Sequence, residues 1–184
     1  MTRCKWCNLK NPKYVEYHDH EWGKACHDDG RLFEMLILEG FQAGLSWECI
    51  LNKREAFRAA FDNFDVRKVA KYDEVKLKAL AANPSIVRNR LKIAAAVVNA
   101  QAFIKVQQEF GSFDKYLWGF ARGALGDCPL PVVEWDKTHS DLSDSLSKDL
   151  KKHGFKFVGT TIVYSLLQAV GIINSHDPGC YLHK

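Results

Sequence analysis

The sequence predicts an all-α fold. Three observations carry that expectation. Apolar residues recur at helical spacing through most of the chain. Several of these stretches open on a Ser, Asp or Asn of the kind that caps a helix N-terminus. Only one long loop is obvious, residues 123–138, with Gly126, Pro129 and Pro131.

Taken in order, residues 31–39 place Leu32, Phe33, Leu36 and Ile37 on one helical face. Ser46 caps a predicted helix over 47–61 with the stripe Ile50, Leu51, Phe57 and Phe61. Asp65 and Asp73 cap two short helices, the second ending near Asn83-Pro84, because the residue before proline is pushed out of the α region. Residues 89–110 are apolar around most of the circumference, which assigns that helix to the middle of the fold. Ser112 caps another helix through residue 120. Leu130-Pro131-Val132-Val133-Glu134-Trp135 has strand composition, but its proline demotes it. An amphipathic helix over 140–153, stopped by Gly154, precedes a last helix over 160–174 and a loose tail. Internal repeats are absent.

A chain of 184 residues suits one compact domain, or two helical lobes with both termini in one and the turn near 80–93 in the other. Its 47% hydrophobic and 26% charged residues point to a buried core and exclude a disordered chain. A formal charge of +4 is compatible with nucleic acid and equally ordinary for an enzyme. No apolar run is long enough to cross a bilayer, and Met1-Thr2-Arg3-Cys4-Lys5-Trp6 lacks the apolar core of a secretory signal, so a cytoplasmic protein is expected. In that compartment the six cysteines favour metal ligation over disulfides, with Cys49 a small buried hydrophobe.

Four constellations can carry chemistry. Around Asn83-Pro84-Ser85, two helices meet through a tight turn, and Arg88, Arg90 and Lys92 open the second. A helix N-terminus with cations beside it can hold a DNA phosphate, although a solvated helix connection accounts for the same residues. Tyr14, Tyr17 and Trp22, with Trp6 upstream, form an aromatic cluster able to stack on a base or simply to build a core. Glu39 ends the apolar run Leu36-Ile37-Leu38, and two glycines then lead to Trp47, so carboxylate and indole can face one cavity. His176 and Cys180, four apart, make half of a tetrahedral metal site. Cys4 and His18 can supply the other half, with Cys7 and His20 as competitors there and His183 at the C-terminal end.

In combination these pieces are familiar. Cys4 and Trp6, Tyr14-x-x-Tyr17-His18-Asp19-x-Glu21-Trp22-Gly23, Leu38-Glu39-Gly40, Gln42-Ala43-Gly44-Leu45-Ser46-Trp47, Phe155-Lys156-Phe157-Val158-Gly159-Thr160-Thr161 and His176-x-x-Gly179-Cys180 resemble the 3-methyladenine DNA glycosylase I family, in family order and over nearly the whole chain. The resemblance implies a helix-hairpin-helix glycosylase fold that excises 3-methyladenine from double-stranded DNA, with no membrane partner, as a monomer. It implies one structural zinc per chain on Cys4, His18, His176 and Cys180. It implies a base pocket of Glu39, Tyr14, Tyr17 and Trp47, with Trp6 and Trp22 at its edge. Leu45 would fill the gap left by the extruded nucleotide.

Many helix-hairpin-helix glycosylases carry an aspartate after the hairpin. Here the first aspartate after Asn89 is Asp114, and no lysine nucleophile is indicated. The implied reaction is therefore simple hydrolysis without strand cleavage. A non-catalytic zinc-containing DNA-binding module is the rival reading, and it leaves Glu39 among aromatic residues without a purpose. A zinc hydrolase, the second rival, needs an open coordination position.

Overall fold

A computed structural model describes residues 1–183. Among them the architecture is mostly helical, as expected. The central helix is Asp29–Gln42 and not the one expected over 89–110, which exposes Leu91, Ala94, Val98, Gln101 and Lys105 along one face. Asn11 caps α1 (Pro12–His20), and Pro12 enters at its first turn, where its missing N–H costs nothing. Asp28 caps α2 (Asp29–Gln42), which runs longer at both ends than the sequence suggested and is buried along Leu32–Phe41 on nearly every side. Gly44, at φ +79, turns the chain into α3 (Trp47–Asn52), capped by Ser46.

The helix expected over 47–61 is broken. Lys53 leaves helical geometry and α4 (Arg54–Ala60) starts afresh. No Gly or Pro marks this break; a buried ion network accompanies it. Arg54 is 5% exposed and donates to Glu34 Oε1 at 2.7 Å and to both oxygens of Glu21 at 2.9 and 2.8 Å. Arg58 grips the same Glu34 at 2.8 and 3.1 Å.

Asp65 and Asp73 cap α5 (Val66–Val69) and α6 (Glu74–Ala82) as expected. The turn 83–89 then leads into α7 (Arg90–Phe110), closed by Gly111 at φ +87. Ser112 caps α8 (Phe113–Leu125), a full turn longer than expected. Within the loop that follows, β1 (Val132–Val133) does form, as one short edge. Ser140 opens α9 (Asp141–Lys152) with a capping box to Ser143. The last helix, α10 (Thr160–Ala169), stops well short of residue 174. Gly171, at φ +78, crosses the 24–25 backbone so closely that a Cβ would stand 2.4 Å from the Lys24 carbonyl carbon. The freed residues become β2 (Ile173–Asn174), parallel to β1.

The core is aromatic and centred on α2, which packs against α3, α7, α8 and α10. Phe33 meets Phe103 edge-on at 5.2 Å, Phe103 stacks on Phe113 at 4.2 Å, and Phe41 meets Phe57 at 4.8 Å. The tail is not loose: Ser175, His176 and Cys180 are buried. Cys49 is only half-buried. Among the described residues no helix is long and apolar enough to cross a membrane.

Glu34 is the carboxylate shared by the buried Arg54 and the half-buried Arg58. Glu34→Ala leaves the buried Arg54 with Glu21 as its remaining carboxylate partner and its Nε unsatisfied, and is expected to lower stability by about 1–3 kcal/mol. Urea unfolding checks this, and a midpoint equal to wild type would show that the network contributes nothing.

Candidate active site and metal centre

Chain ends that are far apart in sequence converge on one cluster. Cys4, His18 at the end of α1, His176 and Cys180 are all buried, and their ligand atoms lie within 4.8 Å of one another. Cys4 Sγ is 3.3 Å from His176 Nδ1, and Cys180 Sγ is 3.5 Å from His18 Nε2 and 3.6 Å from His176 Nδ1. A tetrahedral ion with sulfur at about 2.3 Å and nitrogen at about 2.0 Å has sulfur-to-nitrogen edges of roughly 3.5 Å, so the donor set fits a metal.

The surroundings suit the two histidines to ligation. His18 Nδ1 faces Asp19 Oδ1 at 2.8 Å, leaving Nε2 to the cluster, and Arg3 in turn binds Asp19 at 2.7 Å. Arg3's hydrogen bonds hold the Asp19 carboxyl well below its usual range. Burial pushes His176 down to about 4, so its imidazole is neutral, and pushes the Cys4 thiol up to about 12, so that thiol keeps a proton that a bound cation would displace. The competing residues fall outside: Cys7 Sγ points to the Tyr14 carbonyl at 3.8 Å, His20 lies beside Glu16 on the surface, and His183 Nδ1 faces the His176 carbonyl.

Next to the cluster opens a cavity of about 510 Å³. α1 brings Tyr14 and Tyr17, α2 brings Glu39, α3 brings Trp47, and Trp6 and Trp22 close one side. All six residues singled out from the sequence as a base pocket therefore share one space. Tyr17 and Trp47 lie 5.2 Å apart, Trp6 and Trp22 4.8 Å, and Trp6 and Tyr14 5.4 Å.

Glu39 sits in this wall 4% exposed, with Oε2 unpartnered, and the Trp47 indole N–H is likewise unpartnered. Burial pushes Glu39 up to about 8. A bare carboxyl and a bare N–H facing a ring-lined space are matched to a planar heteroaromatic ligand with donors and acceptors on its edge. Sequence reasoning missed other residues lining the cavity: Lys5, Gln42, Trp135, Ser165, Gln168 and Ser175. Ser165 and Gln168 are polar positions on the otherwise apolar α10, a signal present in the sequence.

A smaller hollow of about 170 Å³ shares Glu39, Gln42 and Ser165 with the cavity and ends at Gly44 and Leu45. Leu45 stands 42% exposed on the turn after α2. Arg88 and Arg90 are exposed at the start of α7. Lys92 corrects the expectation that it joins them on a DNA-facing surface. It is 7% exposed and turns inward, where Nζ donates to the Phe41 carbonyl at 2.9 Å and to the Ala43 carbonyl. An ammonium there answers the orphan carbonyls and negative dipole end of α2. The α7 N-terminus is also less open than expected, because Asn89 Oδ1 accepts from the Leu91 and Lys92 amides at 3.0 and 3.1 Å. Asp114 is occupied by His27 at 2.7 Å and does not line the cavity.

Residues 6–183 match the family model described as methyladenine glycosylase. The chain is 44% identical over 180 residues to DNA-3-methyladenine glycosylase 1 of Escherichia coli, covering 98% of this chain and 96% of the relative. A crystal structure of 3-methyladenine DNA glycosylase I superposes with a TM-score of 0.92 at 43% identity, covering 100% of both chains. The Staphylococcus aureus 3-methyladenine DNA glycosylase I structure, described as the structural basis of 3-methyladenine recognition, superposes with a TM-score of 0.90. That pair is 38% identical, over 100% of this chain and 98% of the other.

The cluster makes a plain demand on the folded protein. Elemental analysis of the purified chain is expected to find about one transition-metal ion per chain. Cys180→Ala should lose the metal and melt at lower temperature, whereas Cys7→Ala should keep it. A metal-free wild type that remains fully folded would show that the cluster is not a metal site.

Proposed function

The chain belongs to the methyladenine glycosylase family, and on that premise we propose that it excises 3-methyladenine from alkylated double-stranded DNA as a monofunctional base-excision repair glycosylase, acting as a single-domain monomer. The observation that carries this reading is the unpartnered Glu39 carboxyl buried in the aromatic cavity.

Methylation at N3 leaves the purine of the nucleotide cationic, so its glycosidic bond is already weak and the base is a good leaving group. The work left to the protein is extraction and discrimination. Tyr17 and Trp47, with Tyr14, Trp6 and Trp22 at the periphery, hold the extruded ring by stacking and cation–π attraction, which neutral adenine feels less. Glu39 accepts hydrogen bonds from the exocyclic amine. A cationic purine beside it draws its raised pKa down, so the lesion stabilises the carboxylate form that binds it. Leu45 occupies the space the nucleotide leaves, and Arg88 and Arg90 engage phosphates. Water completes the hydrolysis without a covalent intermediate. Cys4, His18, His176 and Cys180 would hold a zinc ion, which with four protein ligands would supply folding energy by joining the chain ends and not an activated water.

Incubating the protein with methylated DNA and identifying the released base tests the reading directly. Glu39→Gln should cut excision roughly tenfold to hundredfold, the cost of about 1–3 kcal/mol for a mismatched buried contact, while duplex binding stays intact. Wild-type release by this variant would displace Glu39 from the site.

The same residue gives a pH signature. Folded Glu39 keeps its proton up to about pH 8, whereas unfolded it would lose it near 4.5. Unfolding within that window releases a proton, so Glu39 makes the protein less stable as pH rises through it. Glu39→Gln is expected to gain stability over wild type progressively from about pH 5 to about pH 8, and parallel stability curves would contradict the burial argument. For the DNA face, Arg88→Ala with Arg90→Ala should make the salt dependence of duplex affinity shallower, by about 0.9 in slope for each phosphate no longer neutralised. An unchanged slope would place the backbone contact elsewhere.

A further inference from the structure

We propose that Trp135 is a further stacking wall of the base cavity, a specificity-determining residue held in place by Asp177. The inference rests on the glycosylase reading and deepens it. Trp135 lies just past β1, where the short pairing of Val132–Val133 with Ile173–Asn174 delivers it to the cavity that holds Glu39. Its indole Nε1 donates to Asp177 Oδ1 at 3.1 Å, and the other oxygen of the same carboxylate accepts from the Lys5 backbone N–H at 2.6 Å. One side chain thus ties the loop, the N-terminal segment and the tail together at the cavity rim.

The ring is anchored through its indole N–H. The five other aromatic residues lining the cavity, Trp6, Tyr14, Tyr17, Trp22 and Trp47, each have an aromatic neighbour ring. Among the described residues Trp135 has none, and it is half exposed. An indole fixed through its N–H, with no ring against either face, and lining a space that already holds an unpaired carboxyl, is a platform for a flat aromatic ligand. The ligand class is a cationic, N-alkylated purine, which gains both stacking and cation–π attraction from such a face.

The test compares wild type, Trp135→Ala, Trp135→Phe and Asp177→Asn. Calorimetry gives the affinity for free 3-methyladenine, steady-state kinetics on methylated DNA give kcat and KM, and melting temperature reports the fold. Trp135→Ala should weaken base binding about tenfold, in line with the loss of one base–aromatic stack. It should raise KM more than it lowers kcat, at an unchanged melting temperature. Trp135→Phe should restore most of the affinity, because it keeps a stacking face and loses only the anchor. Asp177→Asn should fall between, since its amide side chain still offers one acceptor. Base affinity equal to wild type in Trp135→Ala, or a loss that Phe does not rescue, overturns the assignment. A wild type that releases no 3-methyladenine from methylated DNA overturns the glycosylase reading, and this inference with it.

Discussion

Joining the two ends of the chain is the constraint from which the site follows. Cys4 and His176 approach to 3.3 Å, and the residues beside them in sequence are cavity residues: Lys5 and Trp6 follow Cys4, while Ser175 and Asp177 flank His176. Trp22 packs edge-on against the His176 ring at 4.7 Å, and Trp6 lies 5.2 Å from His18. A ligand residue and a wall residue adjacent in the chain cannot be placed independently. The cluster therefore sets the position of the aromatic wall as well as the closure of the chain, and Gly23 next to Trp22 leaves the room His176 needs: a Cβ there would stand 3.0 Å from its Nε2.

The opposite wall is built on tension. α2 is buried over most of its length, and Glu39 lies in that length with no cation to meet it. Glu34, earlier on the same helix, makes the contrast. It is as deeply buried, but two arginines hold its pKa below the ordinary value. Two carboxyls on one helix thus meet opposite electrostatics, one satisfied within the protein and one left for something from outside.

Caps were the most legible part of the sequence. Ser46, Asp65, Asp73 and Ser112 each sit where their side chains close a first turn, because capping is a local contest between a side chain and its own next three amides. What was not legible is long-range. The break at Lys53 has no local marker. The early end of α10 depends on Gly171 meeting the 24–25 backbone, and β1 forms because β2 lies beside it. In the site, the aromatic cluster, Glu39 and Trp47 stood out from their composition and spacing, and the resemblance, which spans the chain, joined them in one pocket. Trp135 and Ser175 did not stand out, because no periodicity reports which loop side chain will line a cavity. Lys92 misled for a related reason: a lysine among cations has the composition of a surface whether or not its ammonium is buried.

That buried lysine has a mechanical meaning. It belongs to the first turn of α7, next to Arg88 and Arg90, and it holds the carbonyls of Phe41 and Ala43, immediately before Gly44 and Leu45. The segment proposed to grip the phosphate backbone and the segment proposed to wedge into the duplex are thereby bolted to each other. Their spacing is a fixed gauge. With the roles proposed above, the extruded nucleotide would be met at one set offset from the gripped phosphates.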